Sequence, residues 1–298
     1  MPDLLVAMML SLAVAVGWMG VIRLNRSVRH TSLTAAAAWA IWFQLTLTVT
    51  TIATLAKGRV SPGILDQLWY LTAVSALCPF VAVLGARRGR LLDWSLFVLL
   101  PLIAVLEWPA LAQWSRCWNG QRLELETPTL LGYGVVLLMA VGNFFPTRFG
   151  WASLAWMAGW GWELAQMSDS FHRTQTTHIL PVMMVLVFWM ILGHAAKNCP
   201  SGIGWNRIWF DFRDWFGVAW ATRLSVRINE IAEREQWPWR LTHEGWQATS
   251  RGTPQAGLPV DDPRVDHTVR WLLKPFVDPE WIDERLNVAS PTSKKPEV

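Results

Sequence analysis

The chain has 298 residues, of which 52% are hydrophobic and only 16% are charged, whereas soluble domains carry about 25% charged residues. This composition excludes an ordinary water-soluble protein and predicts that much of the chain faces lipid. The net charge of +4 does not indicate nucleic-acid binding, because residues 1–197 carry 13 basic and 8 acidic residues and residues 198–298 carry 13 and 14. The soluble part is therefore nearly neutral.

Seven apolar stretches are long enough to predict membrane-spanning helices, which need about 17 to 25 residues. They are Leu4–Ile22, Leu33–Ala56, Leu65–Leu84, Leu91–Trp108, Thr129–Phe145, Trp151–Met167 and His178–Ala196. The pattern predicts an all-α, polytopic integral membrane bundle of about seven spans over residues 1–197. The sixth stretch, like the fifth, has only 17 residues. Pro101 lies midway along the fourth stretch, where we expect a local kink.

The loop charges predict an orientation. With the N-terminus outside, eight Arg and Lys residues lie in inner loops and five in outer loops, and two inner clusters of three arginines adjoin span ends. We therefore predict a multi-pass protein of the cell (inner) membrane with its N-terminus outside and its C-terminus in the cytoplasm. If the sixth stretch did not cross, the C-terminal region would lie outside.

Five ionisable residues are predicted near the outer side of the bundle: Glu163, Glu107, His178, Asp169 and His172. A charged group deep in a bilayer costs at least about 2.5–3.5 kcal/mol, so such groups face protein or water and often mark a functional site. Together they predict a polar, outward-facing intramembrane site. The alternative for Glu163 is a structural hydrogen bond to a neighbouring span, since small residues such as Gly159 on its helix face permit close packing.

The segment "GWASLAWMAGWGWE" (Gly150–Glu163) resembles the tryptophan-rich W-G-x-x-W-x-W-D motif of haem-handling cytochrome c assembly proteins. Glu163 stands where that family has Asp, and the glycine and tryptophan spacings differ. The resemblance implies haem handling on the outer side, with His178 as a flanking ligand. A second outer-side histidine on a preceding span is missing from the sequence.

Standard catalytic motifs are absent from the sequence, including the Walker loop, the dinucleotide-binding glycine fingerprint, GxSxG, HExxH and CxxC. The three cysteines Cys78, Cys117 and Cys199 match no metal motif, and their predicted positions argue against an intrachain disulfide. We therefore predict no catalytic residues and no metal ligands, name no cofactor, and favour a protein that is not an enzyme.

Residues 198–298 are predicted to form a small, mostly helical cytosolic domain. It begins with an amphipathic helix over residues 205–236 and ends in a disordered tail over residues 289–298. Six of the aromatic residues in the first half of the helix predict contact with the membrane interface: Trp205, Trp209, Phe212, Trp215, Phe216 and Trp220. The alternative is a helix packed on the core of its own domain.

The sequence thus favours a non-enzymatic membrane scaffold, assembly or signalling component. Its expected partners are the lipid bilayer and a protein that binds the C-terminal domain, with no nucleic acid. The alternative is a transporter or a haem-, metal- or ligand-handling membrane protein that uses an outer-facing intramembrane site around Glu163.

Overall fold

The computed structural model describes residues 2–56, 58–89, 91–168, 178–197, 204–249 and 262–287. The chain divides into two compact units. The first unit comprises Met1–Arg29 and Leu33–Lys197, and the second comprises His30–Ser32 and Asn198–Val298. Three residues between the first two helices therefore belong to the second unit. The predicted tail over residues 289–298 lies outside the described residues.

The described part of the first unit is helical. Its elements are α1 (Pro2–Ser27), α2 (Thr34–Leu55), α3 (Pro62–Leu84), α4 (Leu91–Trp94), a π-helical turn (Ser95–Leu99), α5 (Leu100–Ala112), α6 (Trp114–Trp118), α7 (Thr127–Gly142), α8 (Gly150–Ala165) and α9 (Ile179–Lys197). The π-helical turn directly precedes Pro101. Proline has no backbone N–H to donate to the preceding turn, which accounts for the irregularity predicted there.

Five helical stretches in the described part are long and apolar enough to cross a membrane. They are Leu4–Ser27, Thr34–Leu55, Pro62–Leu84, Leu92–Ala112 and Ile179–Lys197. The prediction of a mostly helical chain with many apolar helices is confirmed, but the seven-span bundle is not. Helices α7 and α8 have 16 residues each, or about 24 Å at helical rise, which is shorter than the hydrocarbon core of about 30 Å.

Helix α3 is the central helix of the first unit. In its most apolar stretch 72% of the residues are buried, against 22% in α1 and 17% in Leu92–Ala112. It packs against α2, α5, α6, α7 and α8. Side chains from two neighbouring helices donate hydrogen bonds to its backbone: Tyr133 to the Ala73 carbonyl and Trp156 to the Ala76 carbonyl. Because apolar surroundings offer no water to compete, such bonds hold the helices in register.

Helices α8 and α9 pack closely because Gly159 lacks a side chain. A β-carbon at residue 159 would lie 2.7 Å from the Met184 β-carbon and 3.3 Å from the Pro181 α-carbon. The predicted close approach at this small residue is therefore present. It brings the end of α8, which carries Glu163, next to the beginning of α9.

The second unit is built on a long bent helix. Its elements are α10 (Trp205–Arg234), β1 (Trp239–Thr242), β2 (Gly245–Ala248), α11 (Pro263–Leu273) and α12 (Pro279–Asn287). The single straight helix expected from the sequence is interrupted at Gly217, whose φ of 77° and ψ of 175° are not helical. Only glycine adopts such a positive φ at little cost. The strands form an antiparallel hairpin in which Leu241 faces Trp246.

Two asparagines of α10 hold the hairpin from its two sides. Asn229 donates to the Leu241 carbonyl and accepts from the Leu241 N–H, both at 2.8 Å. Asn206 accepts from the Trp246 N–H at 2.8 Å. These side chains complete backbone hydrogen bonds at the strand edges.

Four of the six aromatic residues assigned to the membrane interface are buried: Trp205, Trp209, Phe212 and Phe216. Phe212 and Phe216 stack on each other with ring centroids 4.5 Å apart, and both contact the ring of Phe276 in an edge-to-face arrangement. Two rings are therefore covered by the unit's own core, as the alternative interpretation predicts. Trp215 and Trp220 are half-buried. Membrane contact by this helix stays a prediction.

Candidate functional site

Glu163 and His178, two of the five candidate residues, are in direct contact. Glu163 lies in the last turn of α8, and His178 immediately precedes α9. The imidazole Nδ1 lies 2.9 Å from one carboxylate oxygen of Glu163 and 3.2 Å from the other. With a proton on Nδ1, the imidazole donates to the carboxylate. This contact joins the ends of two helices that are consecutive in the chain.

The pair is buried inside the first unit. Glu163 is 0% exposed and His178 is 6% exposed. The imidazole lies flat on the indole of Trp69, with ring centroids 4.5 Å apart and an angle of 1° between the planes. Trp69 belongs to the central helix α3 and is itself fully buried. Three elements thus converge on a pair that is almost completely covered.

Apolar packing surrounds the carboxylate on its own helix. Trp160, one turn before Glu163, is buried and meets the ring of Phe43 from α2 at 5.5 Å. Met167, one turn after Glu163, is buried, and its carbonyl accepts the Leu125 N–H at 2.9 Å. The segment before α7 therefore covers the end of α8, close to the acidic side chain.

The number of protons on the pair determines its charge. A carboxylate beside a neutral imidazole carries one negative charge, and one added proton makes the pair neutral, either as carboxylate with imidazolium or as carboxylic acid with imidazole. An uncompensated charge in an apolar interior is costly. The arrangement therefore suits the exchange of a proton for another cation, because either one keeps the pair neutral.

Glu107 lies in α5 and is half-buried. Its Oε1 atom is covered and has no hydrogen-bond partner among the described residues. Within that part of the chain, no hydrogen bond or ion pair joins Glu107 to Glu163 or His178. The Tyr133 hydroxyl lies within electrostatic range of both Glu107 and Glu163. The structure therefore brings Glu163 and His178 together but shows, within the described residues, no direct contact of Glu107 with them.

Asp169 and His172, the other two predicted members of the site, lie outside the described residues. Both lie between α8 and α9 in the sequence.

A second buried carboxylate was missed by the sequence reasoning. Asp66, near the start of α3, is 1% exposed. It accepts a hydrogen bond from the Arg122 guanidinium at 2.8 Å and from the Leu123 N–H at 3.3 Å. This contact fastens the segment before α7 to the central helix. Its position within the third apolar stretch, one turn before Trp69, was the available signal.

The structure also bears on the tryptophan-rich segment. Trp156 and Trp160 are buried, whereas Trp151 is exposed. Trp69 covers one face of the His178 ring and Glu163 contacts Nδ1, so Nε2 is the ring nitrogen left for a ligand such as haem iron. Haem handling by this segment stays a prediction.

Comparison with known proteins found no matching family model, no matching curated protein and no matching solved structure. The function must therefore be argued from the geometry of the chain itself.

Proposed function

We propose that this chain is an integral membrane protein that binds and releases a proton, or a cation in its place, at the Glu163–His178 pair. The observation that carries the proposal is the burial of a hydrogen-bonded carboxylate and imidazole on the indole of Trp69. Such a pair is expected in a proton-coupled transporter, which must hold a charge away from water and exchange it during transport.

The competing explanation is that the Glu163–His178 pair only stabilises the contact between α8 and α9. A packed apolar contact stabilises a helix interface as well as, or better than, a buried ion pair. Retention of two ionisable groups in the core of the first unit is thus better explained by a change in protonation than by stability alone. The absence of catalytic motifs from the sequence agrees with transport or binding without turnover.

Proton movement can be measured in liposomes that contain the purified protein and a pH-sensitive dye. Under a potassium diffusion potential, we expect acidification several-fold faster than in empty liposomes. Glu163→Gln keeps the size and hydrogen-bonding capacity of the side chain but removes its exchangeable charge, so the rate should fall to that of empty liposomes.

Glu126→Gln is the matched control, because Glu126 is exposed and the same charge is removed. Equal proton movement in the unmodified protein and in Glu163→Gln would refute the proposal. Equal rates in protein-containing and empty liposomes would do the same.

We also propose the orientation with the N-terminus outside. Its support is the distribution of loop arginines, with the two dense clusters assigned to the inside. Cysteines introduced singly at the exposed positions Arg87 and Glu124, in a chain without its native cysteines, test it in intact cells. A membrane-impermeant maleimide should label residue 124 and should reach residue 87 only after permeabilisation, and the reverse result contradicts the orientation.

A scaffold, assembly or signalling role for the C-terminal region is a second candidate. It is favoured by a groove of about 420 Å³ between the second half of α10 and the hairpin. Its lining combines aromatic and charged side chains, among them Glu230, Glu233, Trp237, Trp239 and Arg240. Aromatic and arginine side chains are enriched where proteins bind one another.

Photo-crosslinking in cells tests this second role. A photoreactive residue at Glu233 should give one discrete adduct with a partner protein, whereas the same residue at the exposed Glu244, outside the groove lining, should not. Absence of an adduct from residue 233, or identical adducts from both positions, would contradict it.

A further inference from the structure

Three side chains with metal-binding donor atoms meet in the second unit. His30 lies between α1 and α2, Asp278 immediately precedes α12, and Glu280 lies in the first turn of α12. One donor atom from each lies within 4.8 Å of the donor atoms of the other two. The His30 Nδ1 is 3.7 Å from an Asp278 carboxylate oxygen. The sequence motifs did not reveal this cluster, because its members come from opposite ends of the chain.

Backbone contacts fix this arrangement independently of the side chains. Thr31 and Val277 form an antiparallel bridge. On its two sides the Ser32 N–H donates to the Phe276 carbonyl at 2.7 Å, and the Asp278 N–H donates to the His30 carbonyl at 2.9 Å. The backbone of His30 and Asp278 is therefore held in place before any ligand binds.

We propose that His30, Asp278 and Glu280 bind one divalent transition-metal ion of the zinc type. Zinc takes imidazole and carboxylate ligands at about 2.0–2.2 Å, which requires donor atoms roughly 3.3–3.6 Å apart in a tetrahedron. The donor atoms of the three residues lie within 4.8 Å of one another, and His30 Nδ1 lies 3.7 Å from Asp278, close to that range. An imidazole nitrogen favours zinc over magnesium or calcium, and the two carboxylates neutralise the charge of the ion. His30 and Glu280 are exposed, so water completes the coordination.

The two acidic residues also have a local explanation. A residue preceding a helix caps it with a side-chain oxygen, and an acidic residue in the first turn is favoured by the helix dipole. Neither effect accounts for the histidine placed against them by the backbone bridge. The variant Asp278→Asn separates the two explanations, because asparagine caps a helix as well as aspartate but is a much weaker metal ligand.

Isothermal titration of the purified full-length protein with zinc chloride tests the proposal. We expect one high-affinity zinc ion per chain, with binding weakened at least about tenfold in His30→Gln and in Asp278→Asn. The control Glu244→Gln removes an exposed carboxylate of the same unit, outside the cluster, and should bind zinc like the unmodified protein.

Thermal unfolding provides the second measurement. Zinc should raise the unfolding temperature of the unmodified protein, since an ion that binds only the folded state stabilises it. Asp278→Asn should unfold at the unmodified temperature in chelator and should lose the rise with zinc. The proposal is overturned if Asp278→Asn and His30→Gln bind zinc as tightly as the unmodified protein, or if binding is weak and not stoichiometric, an adventitious ion only.

Discussion

The two units of the chain use polar groups in different ways. In the first unit many polar side chains are buried, and most of them contact a backbone carbonyl or a single partner, as with Tyr133 on Ala73 and His178 on Glu163. Among the described residues, charged pairs are more numerous and more exposed in the second unit, as with Arg227 and Glu230, whose side chains are 59% and 55% exposed.

The difference follows from the extent to which water is excluded from each pair. Coulombic attraction and desolvation both grow as water is excluded, so a buried pair is costly to break but contributes little net stability. An exposed pair is screened and contributes about 0–1 kcal/mol. Loss of a polar partner should therefore have a large effect in the first unit and a small effect on the surface of the second.

The largest effect is expected from His178→Ala, which leaves the Glu163 carboxylate buried without its partner. We expect a loss of about 3–5 kcal/mol in the free energy of unfolding, the usual cost of breaking a buried pair. Unfolding in mixed detergent micelles, followed by circular dichroism, measures it. A loss below about 1 kcal/mol would show that water reaches the carboxylate.

Arg285→Ala tests whether the second unit also contains a buried pair that is costly to break. Arg285 donates to Asp211 at 2.8 Å and stacks on Trp281 at 3.8 Å, and Asp211 is 4% exposed. Burial lowers the pKa of the Arg285 guanidinium, and the negative charge of Asp211 opposes that shift.

Removal of Arg285 should cost about 3 kcal/mol, because Asp211 then loses this partner in the interior. The same unfolding measurement applies, with Arg264→Ala on the exposed surface as control. Equal effects of the two substitutions would contradict the distinction between buried and exposed pairs.

The sequence was sufficient to predict the long apolar helices and the candidates Glu163 and His178, because hydropathy and intramembrane charge are local signals. It could not predict the stacking of His178 on Trp69, since this depends on how α3 lies against the residue that precedes α9. The sequence also could not show what covers the aromatic face of α10. Its pattern is the same whether lipid covers it or whether Phe276, some sixty residues away, does so.

A substitution at the contact between α8 and α9 should have an intermediate effect on the free energy of unfolding. Gly159→Val places side-chain atoms against Met184, whose β-carbon lies only 2.7 Å from the position that a β-carbon of residue 159 would occupy. Overpacking of this kind costs about 1–3 kcal/mol.

Gly161→Ala is the matched control for Gly159→Val, because its β-carbon would meet only Leu137, at 3.9 Å. It should leave stability unchanged or slightly higher, as alanine favours the helix. Similar losses in both variants, measured by thermal unfolding, would mean that helix α8 tolerates neither glycine replacement and that close packing on α9 is not the cause.

The smallest effect is expected from Arg227→Ala. The Arg227–Glu230 pair joins neighbouring turns of α10 at 2.8 Å and is exposed on both sides, so water and salt screen it. Its loss should change the free energy of unfolding by less than about 0.5 kcal/mol, and raising the salt concentration should remove even that difference. A loss comparable with that of Arg285→Ala would mean that Glu230, at the edge of the groove, is shielded from water in the folded protein. The contrast between the two units would then reflect the burial of each individual pair and not a general property of each unit.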